Sequence, residues 1–229
     1  MIKITGDTHG MINSDKLFLP ELKHLTKKDY MIINGDVGAC WYGPNSMQDK
    51  LLQKTYETLP YTTLFCDGNH ENFDYLNSIK VSEWNGGKIH KINDSLIHLM
   101  RGQIYEIDGK TYFVMGGADS IDKIHRIESR NWWKDELPNL DEYDEAESNL
   151  KNYNFNIDYI ITHCASSRTQ YRINPMFKRD CLTDWLNDIE AQLSFDKWYF
   201  GHYHIDENIT DKHVALFNKV ITIGNTINE

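Results

Sequence analysis

The sequence predicts an α/β fold in which parallel strands present polar residues at one edge of a sheet. Three observations support this prediction. Short apolar runs typical of buried strands recur along the chain. Helix-like segments separate several of them, as in strand-helix-strand units. Finally, five of the runs are followed closely by Asp, Asn or His, and ligands in open α/β sheets bind outside the carboxyl ends of the strands.

The first run, residues 2–4, leads into a segment in which glycines flank an aspartate and a histidine. Side chains two positions apart in an extended segment point to the same side, so Asp7 and His9 could reach one cation. An Asp-x-His triplet also arises by chance. The prediction of a metal site therefore depends on the recurrence of the same arrangement.

The arrangement recurs at four later strand ends, and the carboxyl ends of such strands are expected to meet at one crevice. The residues concerned are Asp36 after residues 30–34, Asn69 and His70 after residues 62–66, His163 after residues 157–162, and His202 and His204 after residues 198–200.

The remaining elements are predicted from periodicity and turn signals. Apolar residues at helical spacing predict helices over residues 45–59 and 180–193, and an acidic segment predicts another helix that ends near Leu150. Asp108 and Gly109 predict a hairpin that joins residues 103–107 to residues 110–115. Residues 89–92, residues 95–100 and a terminal hairpin within residues 214–223 are expected to complete a second sheet.

Five sequence blocks, in this order, resemble the signature of the calcineurin-like metallophosphoesterases. They are Gly6-Asp7-Thr8-His9, Gly35-Asp36, Gly68-Asn69-His70-Glu71, Thr162-His163 and Gly201-His202-Tyr203-His204. The resemblance extends from residue 2 to residue 204. It implies a four-layer α/β/β/α sandwich of two mixed sheets with a metal site at the C-terminal ends of the strands, and an activity on phosphate esters.

The resemblance also implies two divalent metal ions with protein ligands from every block. Asp7, His9 and His204 would bind the first ion, and Asn69, His163 and His202 the second. Asp36 is expected to bind both, because a carboxylate has two oxygens to share. The family favours manganese, with iron or zinc as alternatives, since affinity order alone does not select the metal.

His70 is the candidate catalytic residue. It follows a predicted ligand, Asn69, and is therefore expected at the edge of the pocket near the leaving group, where it would act as a general acid. Glu71 would orient it or cap the next helix. The nucleophile would be a hydroxide that bridges the two metal ions.

Several further residues have two alternative roles. Asp119, Asp122 and Arg126 suit a substrate loop, but they also suit a turn and a helix start. Trp132 and Trp133 favour core or lid packing over base stacking. One of Arg168, Arg172 and Arg179 is expected to contact a phosphate, although scattered arginines are commonly solvated.

Composition limits the remaining possibilities. A length of 229 residues without a linker-like stretch predicts a single domain over residues 1–229. No run is long enough for a membrane span and no signal-peptide pattern opens the chain, which predicts a cytoplasmic protein with no membrane partner. A net charge of −10 disfavours nucleic acid as a partner. The oligomeric state stays open.

The sequence therefore predicts a metal-dependent phosphoesterase that hydrolyses small, nucleotide-like phosphodiesters or phosphomonoesters. The protein Ser/Thr phosphatases of the family carry Asp-Arg-Gly after the bridging aspartate. Gly38-Ala39-Cys40-Trp41 stands there instead, which argues against that alternative. A non-catalytic scaffold of the same fold is a second alternative, but it would be expected to lack ligands. A nuclease, which would need a basic groove, is a third.

Overall fold

A computed structural model describes residues 1–227 and contains two mixed β-sheets flanked by helices. The strands, in chain order, are β1 (Ile2–Thr5), β2 (Tyr30–Ile33), β3 (Thr62–Phe65), β4 (Val81–Trp84), β5 (Gly87–Asn93), β6 (Leu96–Leu99), β7 (Gln103–Ile107), β8 (Lys110–Met115), β9 (Tyr159–Thr162), β10 (Lys197–Phe200), β11 (Glu207–Asn208), β12 (His213–Ala215) and β13 (Ile221–Thr222). The α-helices are α1 (Met47–Thr58), α2 (Phe73–Ser78), α3 (Leu140–Asn152), α4 (Ser167–Ile173) and α5 (Cys181–Glu190).

The first sheet has the strand order β13-β1-β2-β3-β6-β5-β4. Strands β1, β2, β3 and β6 are parallel to one another. The pairs β13 with β1, β5 with β6, and β4 with β5 are antiparallel. The second sheet has the order β11-β12-β10-β9-β8-β7, with β12, β10, β9 and β8 parallel. Each sheet therefore brings the carboxyl ends of several parallel strands to one edge.

Side chains alternate between the two faces of each strand, and this alternation produces four layers. Ile32 of β2 packs between the sheets with Val114 and Ile161 of the second sheet, whereas its neighbours Met31 and Ile33 point outward into a cluster with helix α1. A third cluster covers the outer face of the second sheet with helices α3 and α5. This is the predicted α/β sandwich of two mixed sheets, so the fold prediction is confirmed.

Two sequence predictions about sheet membership are wrong. Strands β5 and β6 extend the first sheet, because β6 pairs in parallel with β3. The C-terminal segment does not form a hairpin: β12 joins the second sheet beside β10, while β13 crosses to the first sheet and pairs with β1. Local turn signals indicated strands at these places, but they carry no information on which distant strand each one joins.

The helix predictions are confirmed for α1, α3 and α5, and their first turns are capped by side chains. Ser46 caps α1, and Asn139 and Asp180 form capping boxes at α3 and α5. None of the helices within residues 1–227 has the length and apolar character needed to cross a bilayer.

A buried ion pair links the loop after β3 to the connection between β6 and β7. Both Nε and Nη2 of Arg101 donate to Asp67 Oδ2, at 2.8 and 2.6 Å, and His98 Nε2 lies 3.1 Å from Asp67 Oδ1. Asp67 precedes Gly68, and an aspartate in such a position commonly forms a turn. The structure gives it a structural role, because its carboxylate is fully buried and needs these cationic partners.

Replacing Arg101 with methionine should destabilise the protein by about 3–5 kcal/mol, because the substitution leaves the buried Asp67 carboxylate uncompensated. Urea unfolding followed by circular dichroism measures this loss. Arg179→Met is the matched control. It breaks the pair between Arg179 Nε and Asp184 Oδ1 at 2.6 Å, but this arginine is solvated and its loss should change stability far less. Equal destabilisation by both substitutions would contradict the structural role of the buried pair.

Candidate metal centre

The structure brings the predicted ligands together where the two sheets present their parallel strand ends. Asp7 and His9 follow β1, Asp36 follows β2, and Asn69 follows β3 of the first sheet; His163 follows β9, and His202 and His204 follow β10 of the second. Because both sheets contribute, the site requires the sandwich as a whole.

The backbone at this site is held in an unusual conformation. His9, Asp36, His202 and His204 all have positive φ, at 45°, 51°, 65° and 52°. This region is uncommon for residues other than glycine and is found at sites where the surrounding structure enforces it. The strand-exit loops thus turn these four side chains at some conformational cost.

Two glycines allow the carboxylates to come close to neighbouring loops. A Cβ atom at Gly68 would lie 2.1 Å from Asp36 Oδ1, and one at Gly201 would lie 2.1 Å from Asp7 Oδ1. No larger residue fits at either position without moving a carboxylate. The glycines in these blocks therefore serve close packing around the acids.

The first group of candidate ligands consists of Asp7, His9 and His204. One ligand atom from each lies within 4.8 Å of the others. His204 Nε2 is 3.3 Å from Asp7 Oδ2, and His9 Nε2 is 3.3 Å from Asp36 Oδ2. Asp7 is fully buried, whereas the side chain of His204 is half exposed.

The second group centres on His163. Its Nε2 atom lies 3.5 Å from Asp36 Oδ1 and 3.1 Å from Asn69 Oδ1. Asp7, Asp36 and His163 also offer ligand atoms that lie within 4.8 Å of one another. Asp36 thus presents Oδ2 toward His9 and Oδ1 toward His163, so its two oxygens face different candidate ligands.

Outer hydrogen bonds orient these side chains. His163 Nδ1 donates to the Asn34 carbonyl at 2.6 Å, which fixes the ring with Nε2 turned toward Asp36 and Asn69. The Asn69 amide donates to Ser120 Oγ at 3.0 Å, and Ser120 in turn donates to Glu136 Oε2 at 2.6 Å. His163 Nε2 and Asn69 Oδ1 therefore point inward.

Glu71 joins two of the ligand loops. Its carboxylate accepts hydrogen bonds from Val37 N and Gly68 N, each at 2.7 Å. The sequence analysis expected Glu71 to orient His70 or cap a helix. The structure instead shows it cross-linking the loops that carry Asp36 and Asn69.

The electrostatics of the centre demand positive charge. Burial opposes ionisation of Asp36, yet the neighbouring His163 lowers the pKa of that carboxyl well below its usual value. In turn, burial disfavours a proton on His163, yet Asp36 raises the pKa of the imidazole to about 10. Two buried carboxylates, at Asp7 and Asp36, thus draw cationic charge into the pocket.

The donor set fits divalent transition metals. Carboxylate oxygens, an amide oxygen and imidazole nitrogens are the ligands that manganese, iron and zinc accept, and the carboxylates supply the negative charge. The outward nitrogen of His163 already has the hydrogen-bond partner that is typical of a metal-binding histidine. The residues present would therefore hold such ions at this site.

His70 lies at the edge of the centre and meets Arg126. The guanidinium Nη1 atom is 3.2 Å from His70 Nδ1, and a guanidinium is only a donor, so Nδ1 accepts and the ring proton sits on Nε2. Burial lowers the pKa of His70, and the charge on Arg126 adds to this effect. The same arginine pairs with Asp122 through Nε and Nη2 at 2.7 and 2.8 Å.

A polar cavity of about 680 Å³ opens over the centre. Asp36, His70 and His202 line its floor, and Lys123, Arg126, Lys178 and Arg179 supply cations. Asp119 and Asp122 also line it. Of the three arginines considered above, Arg179 is at the cavity, whereas Arg168 and Arg172 line a different one.

The segment that carries Arg126 is mostly irregular, with one short 3-10 turn at Lys123–His125. Trp133 is buried, in line with core packing, and its Nε1 donates to Asp74 at 2.8 Å.

Phe217 supports His204 from behind, which the sequence did not indicate. The two rings stack with centroids 4.4 Å apart and planes 17° from parallel. Asp206 holds this loop by accepting hydrogen bonds from Phe217 N at 2.8 Å and from Asn218 N and Lys219 N at 3.0 Å. The half-exposed ligand candidate is thereby kept in place by an aromatic face.

A family model matches most of the chain. Residues 1–206 match the family model of the calcineurin-like phosphoesterases. A candidate 5'-nucleotidase from Staphylococcus aureus, solved in complex with α-ketoglutarate, is a structural neighbour with 15% sequence identity and a TM-score of 0.47. The alignment covers 94% of this chain and 48% of the neighbour, so the chain spans about half of that protein. No curated protein matches the chain.

Replacing Phe217 with leucine should weaken manganese binding about tenfold or more, because it removes the flat surface that orients His204. Titration calorimetry on the metal-depleted protein measures the affinity. Phe18→Leu is the control, since Phe18 is an exposed phenylalanine in a 3-10 turn near the N-terminus and should leave the affinity unchanged. An unaltered affinity in Phe217→Leu would show that the stack does not position a ligand.

Proposed function

Because the chain belongs to the calcineurin-like phosphoesterase family, we propose that it is a metal-dependent phosphoric ester hydrolase with two metal ions, acting on small phosphomonoesters or phosphodiesters. The observation that carries this proposal is the position of Asp36. One of its oxygens lies 3.3 Å from His9 Nε2 and the other 3.5 Å from His163 Nε2, as a carboxylate shared between two ions requires.

In this proposal Asp36 would contribute a ligand to both metal sites, and the other ligands would divide between them. Asp7, His9 and His204 would hold the first ion, and Asn69, His163 and His202 would hold the second. The side chains of Asp7, Asp36 and His163 are almost completely buried, which limits their freedom to rearrange. Manganese is the expected metal, with iron or zinc as alternatives, because mixed oxygen and imidazole shells accept all three.

When bound, two such ions polarise phosphoryl oxygens and make hydroxide available as a nucleophile near neutral pH. The protein's own task is to place the ester and stabilise the leaving group. Arg126 can move one donor from His70 to an incoming phosphoryl oxygen, since a guanidinium suits this group. Lys123 lines the same cavity, where its ammonium pairs with Asp119.

His70 acts on the leaving oxygen. With Arg126 on Nδ1, the imidazole carries its proton on Nε2 and can donate a hydrogen bond. When the Arg126 donor turns to the phosphoryl group, Nδ1 is free to take up a proton from water. His70 is then an imidazolium and can give its Nε2 proton to the leaving alkoxide. A positioned general acid contributes roughly 10²–10⁴-fold to the rate.

The dimensions of the site favour small substrates. A cavity of about 680 Å³ falls in the range that binds small molecules, and cations lie at one side of it. The segment after Asp36 reads Gly38-Ala39-Cys40-Trp41 and contains no arginine, whereas the protein phosphatases of the family carry a phosphate-binding arginine in that stretch. We therefore favour small phosphoesters, including nucleotide-like ones, over phosphoproteins.

The test is turnover of bis-p-nitrophenyl phosphate, together with p-nitrophenyl phosphate, by the manganese-loaded protein and two variants. Asp36→Asn should lose bound metal and activity together, because an amide cannot share two anionic oxygens. His70→Ala should keep its metal but slow kcat by roughly 10²–10⁴-fold. Metal content measured by mass spectrometry separates the two effects.

His24→Ala serves as the control, since His24 is an exposed histidine away from the strand ends and should retain full activity and metal. Unchanged turnover in both Asp36→Asn and His70→Ala would refute the mechanism. A wild type that binds metal but turns over neither ester would favour a binding scaffold.

A further inference from the structure

A second cavity, of about 630 Å³, opens beside the metal centre on the side of helix α1. Its walls are mainly apolar. Met11, Ile12, Tyr42 and Leu51 line it although 59%, 82%, 65% and 67% of their surfaces are exposed. Exposed apolar side chains gathered around one concavity indicate a binding site more often than scattered ones do.

The cavity walls are well supported. Asp49 of helix α1 accepts hydrogen bonds from Tyr42 N and Gly43 N, both at 2.8 Å, and so fixes the loop after Trp41. The Trp41 ring lies between His70 and Trp133, with centroid distances of 6.0 and 5.4 Å. A flat aromatic wall is thus held in place before any ligand arrives.

This cavity is continuous with the metal centre. His9 and His70 line it, and His70 also lines the cavity of about 680 Å³ to which lysine and arginine side chains contribute. A phosphoryl group that lies between the metal ligands and Arg126 would therefore adjoin His70, and the apolar cavity would begin on the other side of the His70 ring. Since His70 serves the leaving oxygen in the proposed function, the group that enters this cavity is the leaving alcohol.

The lining also indicates the chemistry of that alcohol. Within the part of the chain that the structure describes, no Lys or Arg lines this cavity, and its one carboxylate, Asp49, is occupied by backbone donors. A second phosphate or another anionic group would find no Lys or Arg there to compensate its charge. A flat apolar group would be able to pack against Trp41, Tyr42 and Leu51.

We propose that this cavity is a leaving-group site for aromatic or comparably apolar alcohols, so that the preferred substrates are aryl-type phosphoesters. The assignment rests on the proposed function, because it uses the position of His70. Selectivity arises from apolar area removed from water on binding, and it increases with the size of the aromatic group.

The experiment compares 2-naphthyl and phenyl esters, whose leaving alcohols have similar acidity, each as the monoester and as the methyl diester. With manganese present, kcat/KM should favour naphthyl about five- to tenfold, because the second ring buries additional apolar surface. Leu51→Asp should reduce this ratio to near one by placing a charge on the apolar wall. Leu140→Asp, at an equally solvent-facing leucine outside the cavity, should leave the ratio unchanged.

A binding measurement tests the same cavity without turnover. Calorimetry should show that 2-naphthylmethylphosphonate binds the manganese-loaded protein more tightly than benzylphosphonate, and that Leu51→Asp removes the difference. If no ester is hydrolysed but this pattern holds, the proposed function fails and the apolar ligand site stands. If both esters are hydrolysed equally well and both phosphonates bind equally, the phosphoesterase function stands and the leaving-group site is wrong.

Discussion

The burial of two carboxylates among imidazoles is the constraint on which the rest of this structure depends. Asp7 and Asp36 lie at the meeting line of the sheets with almost no access to water, and their oxygens lie within 4.8 Å of His163. Two like charges so close together in a protein interior are unfavourable unless cations compensate them. Protons on neighbouring histidines, or divalent metal ions, are the available means of compensation.

This constraint explains the unusual local structure around the site. The strand-exit loops accept positive φ at several ligand positions and require glycine where carboxylates approach them closely. Glu71 and the Ser120–Glu136 pair then hold the loops in register through short hydrogen bonds. The two sheets act as a frame for these loops, and four of the candidate ligands in them, His9, Asp36, His202 and His204, have positive φ.

The sequence indicated the candidate site more completely than it indicated the strand topology. Asp, Asn and His at strand ends form local patterns, so the candidate ligands could be named before their convergence was seen. The membership of β6 and β13 could not be read in this way, because strand pairing depends on partners far away in the chain. The contact of Arg126 with His70 and the stack of Phe217 on His204 could not be predicted from the sequence either, since neither follows a local spacing.

Anomalous diffraction from crystals of the manganese-loaded protein tests the central claim most directly. The account predicts two peaks about 3.5–4 Å apart, one among Asp7, His9 and His204 and the other among Asn69, His163 and His202, with Asp36 in contact with both. A single peak, or two peaks that do not share Asp36, would contradict it.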